Sequence, residues 1–133
     1  MTQNAKIILV DDNAFFRESL RFLIEIEGMG EVVAEAENGQ VFLNLLEIFN
    51  PDLVILDINM PVIGGLEATL KAIAKRPDLK ILVLTMTFGK ENCDAMKNAG
   101  VKGYILKTEG KQVLERAIRT MIEGKSYFPG HHL

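Results

Sequence analysis

Five short apolar runs, residues 7–10, 32–34, 53–56, 81–84 and 103–106, recur along the chain, with a longer amphipathic stretch after each. Runs this short and this free of polar interruption suit strands buried on both faces. The stretches carry apolar residues at helical spacing, such as Phe16, Leu20, Leu23 and Ile24 in the first and Val113, Leu114, Ala117, Ile118 and Met121 in the last. Boundary residues agree with that division. Asn13 and Asn38 stand where helices need a cap, Asn50-Pro51 is placed to end one helix, and Ala99-Gly100 and Glu123-Gly124 are placed to close two more. The pattern is (βα)5. Such alternation favours a parallel sheet with helices on both faces and right-handed crossovers.

Bulk properties narrow the class further. A chain of 133 residues, 48% hydrophobic and 25% charged, buries a core as one domain without disulfides or structural metal. The formal charge of −3 supplies no electrostatic reason for nucleic-acid or membrane binding, so any DNA contact is expected from another domain. Every apolar run is far shorter than the roughly eighteen residues of a membrane span. A single cysteine, Cys93, and an N-terminus without an apolar signal segment fit a reducing cytoplasm. Helical periodicity fades after Gly124. We therefore expect the domain to occupy residues 1–124 and residues 125–133 to form a tail or the start of a linker, with His131-His132 too weak a signal for metal.

The chemistry lies in where the polar residues fall. Asp11-Asp12 follow the first strand, Asp57 the third, Thr85 ends the fourth and Lys107 follows the fifth, all at the carboxyl ends. In open doubly wound sheets that edge holds the ligand. Three carboxylates gathered there would repel one another unless a proton or a cation relieved them. Oxygen-only ligands suit Mg2+, or Mn2+ in its place, and the lack of nearby histidine or cysteine argues against zinc. An ammonium and a hydroxyl beside that cation can hold the oxygens of a transferring phosphoryl group, which makes Asp57 a candidate nucleophile.

Each residue alone has a plainer reading. Aspartates after strands form turns and caps, Lys107 suits a solvated loop, Thr85 an ordinary strand end, and Tyr104 a core or half-buried aromatic with a wet hydroxyl. The joint placement is what discriminates. Two other classes stay open: a phosphatase using Asp57 as nucleophile, although Asn59 stands where its second acid belongs, and an interaction module that works without phosphorylation.

Val10-Asp11-Asp12-Asn13, Leu56-Asp57-Ile58-Asn59-Met60-Pro61, Gly64-Gly65, Leu84-Thr85 and Gly103-Tyr104-Ile105-Leu106-Lys107 resemble the response-regulator receiver (CheY-like) family over nearly the whole chain. The resemblance implies a flavodoxin-like sheet of order 2-1-3-4-5. It implies that Asp12, Asp57 and the Asn59 carbonyl ligate Mg2+, that Asp11 acts mainly through water, and that Lys107 contacts the phosphoryl group donated by a sensor histidine kinase. Thr85 and Tyr104 would form the switch that alters the surface of helix 4, strand 5 and helix 5, while Asn59 and Thr87 would tune phosphate lifetime. Residues 13–21, 106–109, 117–119 and 124–127 look most like the NarL/FixJ (LuxR-type) branch, whose members usually carry a DNA-binding helix-turn-helix. We expect this receiver to belong to such a transcription regulator, with a stand-alone phosphorelay domain as the alternative. A homodimer would use either helix 4/strand 5/helix 5 or helices 1 and 5. Met86 stands where the family commonly has a small residue, and is expected to crowd the pocket mouth. Thr108, where many receivers have proline, suits the branch.

Overall fold

The structure, a computed structural model, describes residues 5–60 and 62–129. Strands β1 (Lys6–Val10), β2 (Glu31–Ala36), β3 (Leu53–Leu56), β4 (Ile81–Thr85) and β5 (Gly103–Leu106) alternate with helices α1 (Ala14–Ile26), α2 (Gly39–Leu45), α3 (Gly65–Lys75), α4 (Lys90–Ala99) and α5 (Lys111–Ile122). All strand pairs are parallel, in the order β2-β1-β3-β4-β5. Successive strand residues point to opposite faces, and each face has its own core. Ile8, Val10, Val54, Leu56, Ile81 and Val83 pack with Phe42, Ala68, Ala72 and Met96 of α2, α3 and α4. Ile7, Leu9, Leu53, Ile55, Leu82 and Leu84 pack with Leu20 and Ile24 of α1 and Leu114, Ile118 and Met121 of α5. That double burial is why β1, β3 and β4 read as unbroken apolar runs.

The structure departs from the sequence reading in three places. β2 is longer than the apolar run 32–34 and only half-buried along its middle, because an edge strand has one neighbour; its Glu35 instead takes Arg17 and Arg21, each at 3.0 Å. α2 stops at Leu45, not at Asn50-Pro51. Past the capping Leu46, whose amide still bonds Phe42 O at 3.2 Å, two amides bond three residues back, Glu47 N to Asn44 O at 3.1 Å and Ile48 N to Leu45 O at 3.0 Å. Arg76, just past α3, donates to the Leu46 carbonyl and to Asn50 Oδ1, so the freed end of α2 is satisfied from another helix. Asn13 and Asn38 do cap α1 and α2, accepting from Phe16 N and Val41 N at 2.9 Å each.

The third departure follows α5. The chain turns back through Gly124 and lays Tyr127 along β5, Tyr127 N donating to Lys102 O and Tyr104 N to Tyr127 O, each at 2.9 Å. Tyr127 and Phe128 are buried, so this part of the expected tail packs into the domain and covers a sheet edge that would otherwise be open. Gly103 lets α5 and β4 pack closely at this point: a Cβ there would lie 2.6 Å from Met121 Sδ, 2.8 Å from Leu82 Cδ1 and 3.3 Å from Tyr127 O. His131 and His132 lie outside the described residues.

Candidate functional site

Parallel strands end together, so residues just past β1 and β3 become neighbours. Asp57 N donates to Val10 O at 2.9 Å and Asp11 N to Ala36 O at 3.0 Å, which extends the ladder by one step and pins both backbones. The ligating atoms of Asp11, Asp12 and Asp57 then lie within 4.8 Å of one another. Asp11 and Asp57 are buried, at 4% and 7% exposure, while Asp12 faces solvent. Lys107 opens a 3-10 turn after β5, a turn braced by Leu106 N donating to Glu109 Oε1 at 2.8 Å. Its Nζ lies 2.7 Å from Asp11 Oδ2 and 3.4 Å from Asp57 Oδ2. The closer partner is therefore Asp11, which also accepts from Asn13 N at 2.8 Å.

Three carboxylates facing one ammonium leave an excess of negative charge. Burial pushes the Asp57 carboxyl above the ordinary carboxylate range and the charge of Asp11 adds to that, opposed by the Asn59 amide, 3.1 Å from Asp57 Oδ1, and by Lys107. Arg17 does not enter the pocket; it donates to the backbone carbonyl of Asp11 and to Glu35.

Thr85 ends β4 wholly buried, and its Oγ1 has no hydrogen-bond partner among the described residues; the same holds for the hydroxyl of Tyr104. A buried hydroxyl without a partner costs about 1–3 kcal/mol, so both are poised to accept one. Tyr104 is fully inside rather than half-buried and wet, with Phe88 edge-on at 6.2 Å and 88°. Asn59 and Thr87 are exposed near the strand ends, and Met86 directs its side chain outward, 57% exposed. Gly65 starts α3 against the loop that carries Asn59, its N–H donating to Ile58 O at 3.1 Å; a Cβ would come 2.5 Å from Ile58 Cα.

The sequence reading passed over two residues. Phe16, taken there only as a core position of α1, lays its ring over Lys107, with Nζ 4.1 Å from the centroid. Arg17 ties the first turn of α1 to Asp11. The available signal was the cap itself: a cap at Asn13 turns the residues three and four positions later back toward the loop.

A parallel sheet of this order, with an acidic cluster and a lysine at its carboxyl edge, is the arrangement of a receiver domain. The response regulator receiver domain family matches residues 7–119, and the chain belongs to it. It is 35% identical over 122 residues to the transcriptional regulatory protein DegU of Brevibacillus brevis, covering 92% of this chain and 52% of that protein. It is 39% identical over 124 residues to the oxygen regulatory protein NreC of Staphylococcus epidermidis, covering 92% and 56%. The chain thus spans about half the length of these relatives. A two-component response regulator of the LuxR family from Aurantimonas superposes with a TM-score of 0.89 at 34% identity, covering 93% of this chain and 89% of that one. The isolated receiver domain of RcsB from Salmonella enterica, solved with a phosphomimetic beryllofluoride, gives 0.86 at 26%, covering 95% and 94%.

Proposed function

We propose that Asp57 accepts a phosphoryl group from a sensor histidine kinase, and that the resulting change at the surface of α4, β5 and α5 controls a transcription-regulating output domain. The observation that carries this is the fork of Asp11, Asp57 and Lys107 with Asp12 within 4.8 Å, beside the unpartnered Thr85 hydroxyl. An Asp57 oxygen attacks the phosphorus of a phosphohistidine; the P–O bond forms as the P–N bond breaks, and the imidazole leaves with the electron pair. Lys107, shared between Asp11 and Asp57, turns toward the incoming oxygens and offsets their charge. Thr85 donates its hydroxyl to a phosphoryl oxygen, and Tyr104 follows on the far side of β4.

An all-oxygen donor set with two buried carboxylates and excess negative charge fits a hard divalent cation. Asp11, Asp12, Asp57 and the Asn59 carbonyl would hold Mg2+ or Mn2+, which would supply charge neutralisation at the transferring oxygens. Asn59 and Thr87, exposed near the pocket, would set the access of hydrolytic water, and Met86 the access of the donor.

Receiver domains are not generally enzymes, and we assign this one only its own phosphorylation and dephosphorylation. A cavity of about 550 Å3 lined by Phe88, Cys93, Leu106 and Phe128 lies on the surface expected to respond. RcsB dimers bind DNA in a related structure; for this chain, dimerisation through α4/β5/α5 or α1/α5 and DNA contact through an output domain belong to the proposal. So do a receiver unit of residues 1–124, with residues 125–133 as a tail or the start of a linker whose Tyr127 and Phe128 pack back on the domain, and a cytoplasmic location. Among the described residues no helix is long and apolar enough to cross a membrane.

The test is incubation with acetyl phosphate and Mg2+, read by intact mass. One phosphoryl group on the wild type and none on Asp57→Ala is the expected result. An equal mass gain in both proteins, or none in either, overturns the assignment, and many turnovers of phosphate ester per chain would favour a phosphatase instead.

A further inference from the structure

We infer that Phe16 is a positioning residue for this phosphorylation: its ring face holds the Lys107 ammonium between Asp11 and Asp57. The inference rests on the Asp57 reading and goes one residue deeper. A lysine side chain ends in a point charge on a flexible stem, which hydrogen bonds alone orient poorly. Here the head has two carboxylate oxygens at 2.7 and 3.4 Å on one side and the Phe16 ring at 4.1 Å on another, leaving the side chain 9% exposed. An ammonium at that distance from an aromatic face is attracted by the ring quadrupole, more strongly when desolvated. The ring also limits water at the one cation in the fork.

Phe16 is itself held. Its amide donates to the capping Asn13 Oδ1 at 2.9 Å, Asn13 N donates to Asp11 Oδ1 at 2.8 Å, and the adjacent Arg17 grips the Asp11 carbonyl and Glu35. The first turn of α1 therefore registers the ring against the same aspartate that Lys107 touches. Phe16 also packs against the core that Leu20 and Ile24 close under α1, a contact that any apolar side chain of similar size can make, whereas the contact with Lys107 needs an aromatic face.

The experiment compares wild type, Phe16→Leu and Phe16→Tyr. Leu keeps an apolar side chain without a π face, and Tyr keeps the face. With acetyl phosphate at saturating Mg2+, Phe16→Leu is expected to phosphorylate about five-fold more slowly. Its half-saturating Mg2+ should stay within about two-fold, and Phe16→Tyr should recover most of the rate. The ε-methylene proton resonance of Lys107 should lie upfield in wild type and Tyr and move downfield in Leu. A Leu variant that phosphorylates at the wild-type rate overturns the role of Phe16. So does a Tyr variant as slow as Leu, because that outcome marks a packing defect. A wild type that takes no phosphoryl group removes the Asp57 reading and this inference with it, an outcome separate from the other two.

Discussion

Replacing Lys107 by methionine keeps a long apolar stem and removes the one charge that balances two buried carboxylates. The contacts at 2.7 and 3.4 Å are worth roughly 5–6 kcal/mol each at an effective dielectric near 20, but taking the ammonium out of water costs several kcal/mol. The three side chains are only 6–9% exposed, so solvent screening reduces this little. Breaking such a pair from one side leaves the carboxylates uncompensated, and we expect a loss of about 3 kcal/mol in EDTA, roughly 10 °C in Tm for a domain of this size. The loss depends on pH. Without Lys107 the folded carboxyl pKa, already raised in Asp57 by burial, rises further above its unfolded value; stability is then retained below the unfolded pKa and lost as pH increases through the folded one. The deficit should therefore be larger at pH 8 than at pH 5, and Asp11→Asn in the Lys107→Met background should recover part of it. Urea denaturation in EDTA at the two pH values measures both. A Lys107→Met protein within about 0.5 kcal/mol of wild type at pH 8, or a deficit equal at both pH values, would refute the reasoning.

Two further outcomes follow from local geometry. Val62 is exposed in the β3–α3 loop at φ 68°, a left-handed conformation costly for a β-branched residue, so Val62→Gly should raise stability by about 0.5–1 kcal/mol in thermal melts with the fold unchanged; a fall in Tm would show that its side chain makes a compensating contact. Burial, and next the charge of Asp94, pushes the Cys93 thiol above its usual range, so iodoacetamide at pH 8.5 should label it much more slowly than in urea-unfolded chain; equal rates would place the thiol in solvent.

What can be read from local sequence is what local physics determines. The strand-helix alternation, the caps at Asn13 and Asn38, and the acids, threonine and lysine at the strand ends depend on periodicity and on residues a few positions apart, and the structure has them where the pattern predicts. The strand order was not legible in the pattern; it came with the family resemblance, because alternation alone permits several orders. The early end of α2 depended on Arg76, 30 residues from Leu46. The return of Tyr127 onto β5 depended on backbone bonds to Lys102 and Tyr104, on the far side of α5 in sequence, and the ring of Phe16 reached Lys107 only once α1 had packed against β1 and β2 and the sheet had brought the end of β5 to the same edge. Such contacts join segments that share no period, and their energies arise only on close approach. The chain's own pattern therefore determined that Asp11, Asp12, Asp57, Thr85 and Lys107 share one edge. Only the packed tertiary structure decided that Lys107 leans on Asp11, and that an aromatic ring covers it.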